Sequence, residues 1–251
     1  FGSGCGYKRP PVVDAHWHIY CVRGPRTAAA LKIDAALAVT DAAALVATLP
    51  CPEGDKKHSV SYMPHHLSAE LGDWQAVCEA AGIHYIASNH RDVARTIQQV
   101  RQSDLLITEA LHGAVVADAL RVPWISVRAY GHILPFKWHD WCESLALRYE
   151  PQRLPTLWQK PLPVVDRARL VAKRICGYLP GGKEKWRFSP VRVHGRRRID
   201  EAATALANVA AHSHGHLSAD ATYQLVLDRL TEKLEMLRRD YGKSAPQSNA
   251  A

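Results

Sequence analysis

Apolar positions along the chain recur with two different periods, and the switches between them predict most of the elements. "HSVSYM" (His58 to Met63) reads as a strand. From Ser68 to Ala81 the apolar residues Leu71, Trp74, Val77, Cys78 and Ala81 fall near a 3.6-residue period, which predicts one helix that Gly82 ends. "IHYIA" predicts the next strand, and Arg91 to Gln102 a helix carrying Val93, Ile97 and Val100 inward. "DLLIT" predicts a strand, Glu109 to Leu120 a helix and "VPWISV" a strand. Strands alternating with helices imply right-handed crossovers and a parallel sheet, here a Rossmann-like unit of roughly 75 residues.

The same alternation precedes this unit. "WHIYCV" (Trp17 to Val22) predicts a strand that gives way to Arg23-Gly24-Pro25. "RTAAALKI" then predicts a helix, with Pro25 suited to its first position. "ALAVT" reads as a second short strand, and Asp41 as the cap of the helix "AAALVATL". "PCPEGDKK" (Pro50 to Lys57) marks a boundary or linker. From Arg128 to Pro190 the pattern loosens, apart from a short helix predicted at "FKWHDWCESLAL". Asp200 to Asp240 is helical, broken in two at "AHSHGHLSA", with Leu225, Val226, Leu230, Leu234 and Leu237 as the apolar face of the second helix. Five segments result: 1–55, the remainder of an N-terminal α/β domain; 56–150, a C-terminal Rossmann-like domain; 151–190, an irregular basic connection; 191–242, helical; and 243–251, a disordered tail.

Charge and composition narrow the function classes. The 251-residue chain carries a net charge of +8, which suits nucleic acid, an anionic membrane surface or acidic substrates. The densest basic run, "HGRRR" (His194 to Arg198), reads as a solvated face. No helix-turn-helix, zinc-finger or RNA-recognition signature accompanies it, so no nucleic-acid partner is expected. No apolar run reaches the roughly 18 residues of a membrane-spanning helix. The six cysteines form no C-x-x-C pair, which predicts buried thiols in a reducing cytosol and neither a zinc ribbon nor a disulfide scaffold. The opening "FGSGCGY" has no initiator Met and predicts that an N-terminal piece precedes it.

In a parallel α/β sheet, ligands bind beyond the carboxyl ends of the strands. This chain places Met63, Pro64, His65 and His66 after the first strand of the unit, Ser88, Asn89 and His90 after the second, Thr108, Glu109 and His112 after the third, and Arg128 and Tyr130 after the fourth. With Thr108 as the cap, Glu109 and His112 would share one face of the first helical turn, which is an anion site. Gly113 would admit a ligand or a neighbouring backbone. The helix dipole favours a neutral imidazole and Glu109 an imidazolium, so His112 could be poised as acid or base. The alternative is a glutamate that improves the helix start and a histidine bonded to a neighbour. Arg23, between a strand and Pro25, suits either a carboxylate or phosphate ligand or a surface salt bridge. Gly2, Gly4 and Gly6 form G-x-G-x-G, but no complete dinucleotide or Walker pattern appears. "HSHGH" (His212, His214, His216) reads as a solvated loop in preference to a metal site, and no resident metal is expected.

"FGSGCGY", "VRGPRTAAAL", "MPHH", "LLITEALHGAVVADALRVPW" and "FKWHDW" occur in this order over roughly Phe1 to Pro151. Together they resemble the polysaccharide pyruvyltransferases, especially the bacterial exopolysaccharide ketal pyruvyltransferases. The resemblance implies an α/β fold of two Rossmann-like domains like that of GT-B glycosyltransferases, here with an incomplete N-terminal domain and a C-terminal helical extension. It implies transfer of a pyruvyl group from phosphoenolpyruvate to two hydroxyls of one sugar of an exopolysaccharide repeat unit. Phosphoenolpyruvate is a co-substrate, and no cofactor is implied. The acceptor would be a lipid-linked oligosaccharide at the cytoplasmic face of the inner membrane, where a basic surface suits anionic lipid.

The family's histidine in E-x-x-H-G falls on His112, as general acid or donor to the leaving phosphate, and its strand-end arginine falls on Arg23. Glu109 would orient His112 or act as base toward a sugar hydroxyl. Substrate binding is expected of Arg23, Arg128, His65, His66, Gly113 and Gly4. Many members read Glu-Arg-Leu-His-Gly, whereas this chain has Ala110 in place of that arginine. Arg128, Lys137 and Arg121 are candidates for the missing charge, with Arg128 favoured because it follows a strand on the ligand side. The rival reading is a GT-B-type glycosyltransferase using a nucleotide sugar. Against it, no ribose carboxylate is evident at "SNHRD".

Overall fold

The fold is that of a computed structural model describing residues 1–7, 9–50, 55–88, 92–158, 164–183 and 195–242. Asn89, His90, Arg91, Cys51, His194 and the tail therefore lie outside the described residues. Two compact units form, each discontinuous in sequence. One comprises Phe1–Leu45, Phe136–Arg148 and Ser218–Ala251, and the other Val46–Pro135 and Tyr149–Leu217. Both units draw on segments that are distant in sequence, about which local periodicity carries no information.

The second unit holds a five-stranded parallel sheet: β1 His58–Met63, β2 His84–Tyr85, β3 Ser103–Thr108, β4 Trp124–Arg128 and β5 Gln152–Arg153. The strand order is β2-β1-β3-β4-β5. The chain leaves β1 to one side for β2 and returns on the other for β3, so the direction of winding reverses between β1 and β3. Both faces are covered, which is why Leu106, Ile107, Trp124, Ile125 and Val127 are all buried. Each such side chain contributes about 1.5–3 kcal/mol of burial. The "IHYIA" strand shrinks to His84–Tyr85, at the edge of the sheet with β1 as its neighbour.

The helix predicted from Ser68 to Ala81 is two helices, α2 His66–Leu71 and α3 Trp74–Ala81. Gly72 is extended, and Asp73 starts α3 by accepting the Ala76 N–H. A Cβ at Gly72 would lie 2.4 Å from Leu157 Cβ, so the break lets another segment approach closely. Gly82 ends α3 in the left-handed region, as its sequence position predicted. α4, Val93–Arg101, is capped by Asp92 and buries Val100, but Val93 is 66% exposed in its first turn instead of facing inward. α5 is Leu111–Ala119. The Arg196–His212 helix packs on α3 through Ala202, Ala203, Leu206 and Val209. These join Tyr62, Trp74, Ile107, Ile125 and Val127 in one core.

In the first unit α1 spans Pro25–Leu31 with proline at its start, and α6 spans Pro135–Ser144, of which Phe136 onward belongs to this unit. "WHIYCV" and "ALAVT" do not form strands. Val22 makes single parallel bridges to Ser3 and Ala38, and Ala35–Leu37 is a 3-10 turn capped by Asp34. Asp41 accepts the Ala43 N–H at the start of a 3-10 helix, Ala42–Thr48. The C-terminal helix, Asp220–Tyr241, buries Tyr223, Val226 and Leu230, while Leu225 is exposed. Tyr223 lies on the same helical face as Val226 and Leu230, whereas Leu225 lies on the opposite one. Cys21, Cys78 and Cys142 are buried free thiols, but Cys176 is exposed. Among the described residues no helix is long and apolar enough to cross a membrane.

Candidate active site

Glu109 sits at the carboxyl end of β3, where the winding reverses, and is fully buried. Its Oε1 accepts the Ala129 N–H at 2.7 Å, and its Oε2 the His65 N–H at 3.4 Å. Its own N–H donates to the Met63 carbonyl at 3.1 Å. One side chain thus ties together the ends of β1, β3 and β4. Burial pushes its carboxyl up. The Ser68 hydroxyl, the amides of Ala129 and His65, and the positive charge of Arg128 oppose that rise.

Glu109 is not in the helix. The N-cap of α5 is Ala110, not Thr108, and α5 begins at Leu111. The Thr108 hydroxyl donates to the Met63 carbonyl at 2.9 Å and accepts the Ala110 N–H at 2.9 Å, which holds Thr108 in the sheet. Glu109 and His112 therefore do not share a helical face. His112 is exposed in the first turn of α5, where the amides of Leu111, His112 and Gly113 precede the first intrahelical bond, Ala114 to Ala110. That turn is the positive end of the helix dipole. A Cβ at Gly113 would lie 2.8 Å from both Met63 Sδ and Thr108 Oγ1. Gly113 thus serves close packing of α5 on β1 and β3, and what it admits is a pair of side chains.

A histidine cluster lies beside Glu109. His65 caps α2, its Nδ1 accepting the Leu67 N–H at 3.2 Å. Its ring centroid is 4.2 Å from that of His66 and 5.0 Å from that of His132. His132 stacks on Tyr130 and meets the Ser68 hydroxyl through Nε2 at 3.1 Å. Burial, then the positive charges of His66 and Arg128, pull the His132 pKa down to about 4. Ser68 also bonds Glu109, so Glu109, Ser68 and His132 form a chain. No motif marked His132 in the sequence. The rule that marked Arg128 and Tyr130, position just past β4, would have reached it two residues further on.

Arg128 ends β4, is 9% exposed, and donates from Nε to the Tyr130 carbonyl at 3.3 Å. Its charge acts on both Glu109 and His132. Arg121 lies past the C-terminal end of α5, at the far end from His112, and bonds Asp118. It is therefore removed as a source of the charge absent at Ala110. Lys137, in the other unit, lies over the Tyr7 ring.

Arg23 is buried in the first unit. Its Nε donates to Asp140 Oδ2 at 3.0 Å and its Nη2 to the Cys5 carbonyl at 3.0 Å. Asp140 also accepts the Thr27 N–H at 2.8 Å and the Thr27 hydroxyl at 2.6 Å. The guanidinium lies flat on Gly4, where a Cβ would be 2.4 Å from Nη2. Neither the surface salt bridge nor the open clamp considered from the sequence matches this arrangement. Arg23 joins the segment just past Val22 to α6 through a buried carboxylate, and Gly4 makes room for it.

The amino end of the sheet differs. A cavity of about 540 Å³ is lined by Lys57, His58, Ile83, His84, Ala207 and Ala211. The His58 and His84 rings stack there at 3.6 Å. His216 in "HSHGH" pairs its backbone with that of Trp124, and His212 bonds the Asn208 carbonyl. Among the described residues no group of three or more His, Cys, Asp or Glu is arranged to hold a metal ion.

No protein-family model matches this sequence, and no solved structure matches it. The chain is 33% identical, over 261 aligned residues, to the succinoglycan biosynthesis protein ExoV of Rhizobium meliloti (strain 1021). The alignment covers 96% of this chain and 81% of that protein. With identity at that level across nearly its whole length, the chain belongs to the family of the succinoglycan biosynthesis protein ExoV.

Proposed function

We propose that this protein is a ketal pyruvyltransferase of exopolysaccharide biosynthesis, which moves a pyruvyl group from phosphoenolpyruvate to a sugar of the repeat unit. The two-domain architecture resembling GT-B enzymes and a lipid-linked acceptor belong to the same reading. The relative's role in succinoglycan biosynthesis supports the pathway. The observation that carries the chemistry is the convergence of Glu109, Ser68, His132 and Arg128 beyond the ends of β1, β3 and β4, where the winding of the sheet reverses.

The reaction fixes what the residues must do. Phosphoenolpyruvate gains a proton at its methylene carbon, which becomes the ketal methyl. One sugar hydroxyl then bonds C2, phosphate leaves, and the second hydroxyl bonds C2 to close the ring. The two hydroxyl protons end on the methyl group and on the released phosphate, so the step needs one acid and one base. His112, exposed at the positive end of α5, is the acid and the donor to the leaving phosphate. Arg128 supplies the positive charge absent at Ala110.

His132 is the base. Glu109 accepts backbone amides on both oxygens, so it stands as a carboxylate that accepts a hydrogen bond from the Ser68 hydroxyl. The Ser68 oxygen in turn accepts a hydrogen bond from His132 Nε2–H, which leaves the Nδ1 lone pair for a sugar hydroxyl. Glu109, with no exposed surface, positions Ser68 and His132 and touches no substrate. Arg23 and Gly4 are assigned to the scaffold, with Arg23 closed on Asp140.

The test offers the protein phosphoenolpyruvate and oligosaccharide acceptors. Phosphate release coupled to a new ketal methyl signal in proton NMR is expected. Turnover of a nucleotide sugar with no consumption of phosphoenolpyruvate would support the glycosyltransferase reading instead.

A further inference from the structure

The Val164–Tyr178 helix departs from the burial pattern of the rest of the molecule. Val165, Ile175 and Tyr178 are each about three-fifths exposed, Val171 is exposed too, and Leu179 follows directly. Ala168, Ala172 and Cys176 are also exposed. At 100° per residue these helical positions fill one continuous arc of about 160°. Exposed cations border it, Arg169 and Lys173 along one edge and Arg174 along the other. Gly177 is buried and Leu170 half-buried, and both point away from the arc, so the helix turns its other side to the protein. A scatter of single exposed apolar residues would need no explanation, but a contiguous stripe on one helix does.

We propose that this helix is an interfacial anchor that lies on an anionic lipid bilayer, with the Val165–Val171–Ile175–Tyr178 stripe among the acyl chains and Arg169, Lys173 and Arg174 at the headgroups. An apolar stripe edged by cations is what an in-plane amphipathic helix presents, and long basic side chains bury their stems while holding their charge at the headgroup level. A second copy of the chain fits less well, because pairing two such stripes would bring their cationic borders together. Protein interfaces are also depleted in Lys. The proposal does not rest on the pyruvyltransferase reading. It would, however, hold the enzyme where a lipid-linked acceptor resides.

The test is cosedimentation of the full chain with vesicles, with no donor or acceptor present. Vesicles of phosphatidylglycerol and phosphatidylcholine in equal parts should bind the protein at least roughly tenfold more tightly than phosphatidylcholine alone. V171E combined with I175E should abolish binding while leaving circular dichroism unchanged, since both side chains are exposed. K173E combined with R174E should weaken binding to the anionic vesicles and leave binding to neutral ones unchanged. Failure of the wild-type chain to bind, equal binding to both lipids, or full binding by V171E/I175E overturns the proposal. So does a dimer in light scattering that V171E/I175E dissociates in the absence of lipid binding.

Discussion

Asp140 and Glu109 are both carboxylates with no exposed surface, yet they are satisfied in different ways. Asp140 is closed on all sides by protein: Arg23 opposite its charge, and the Thr27 amide and hydroxyl on its two oxygens. Glu109 takes two backbone amides and then continues, through Ser68, to His132, beside the exposed ring of His66. A closed carboxylate holds segments together. A carboxylate that leads outward through a hydroxyl to an imidazole fixes a tautomer and has something to offer a ligand. Burial alone does not separate scaffold from site, whereas the direction of the hydrogen bonds does.

Four substitutions can break or sharpen that contrast. The largest effect is expected of Asp140→Ala, which leaves the Arg23 charge buried without its counter-charge. It should cost about 3–5 kcal/mol in urea unfolding. A loss below 1 kcal/mol would mean that Arg23 finds water or another partner (about the size of an exposed pair). His132→Asn should do the reverse, lowering transfer roughly a hundredfold, as for a general base, while leaving the unfolding midpoint near that of the wild type at neutral pH.

The same residue sets a pH dependence. His132 is held neutral down to about 4 in the folded chain, against 6.5 ordinarily. Between those values the unfolded chain binds more protons, so His132 exacts no penalty above 6.5 and destabilises the fold progressively as pH falls toward about 4. Glu109, raised by burial, acts with the opposite sign. The difference between wild-type and His132→Asn stability curves therefore isolates the histidine. A difference that does not vary across this window would remove His132 from the buried cluster.

Gly113→Ala should cost about 1–3 kcal/mol through overpacking against Met63 and Thr108. It should also weaken donor binding by shifting the first turn of α5. Arg26→Ala gives the smallest change, below about 1 kcal/mol, because its ion pair with Glu143 is about two-fifths exposed on each side.

How far the sequence revealed this contrast depended on whether the information was local. β1, β3, β4, α6 and the Gly82 stop follow from composition and period, which are local. The split at Gly72 depends on Leu157, which is far along the chain. The failure of Trp17 to Val22 to pair beyond Val22 likewise depends on distant partners. The rule about strand ends pointed to Glu109, His65 and Arg128, which the structure brings together. The position of Glu109 outside α5 was hidden because Thr108 had two hydrogen-bonding choices, and the sheet won. The pairing of Arg23 with Asp140 was hidden because the two are more than a hundred residues apart. Ser68 and His132 carry no motif, and their bond appears only once the chain past β1 and the chain past β4 meet across the end of β3.

The most direct measurement is a titration with phosphoenolpyruvate followed by NMR of the protein labelled with nitrogen-15 in its histidine rings. In the free protein His132 should appear as the neutral tautomer protonated at Nε2. Added phosphoenolpyruvate should shift His112 and His132 and leave His58 and His84, at the other end of the sheet, unmoved. Shifts confined to His58 and His84, or a His132 protonated at Nδ1, would contradict the assignment of the donor site to the carboxyl ends of β1, β3 and β4.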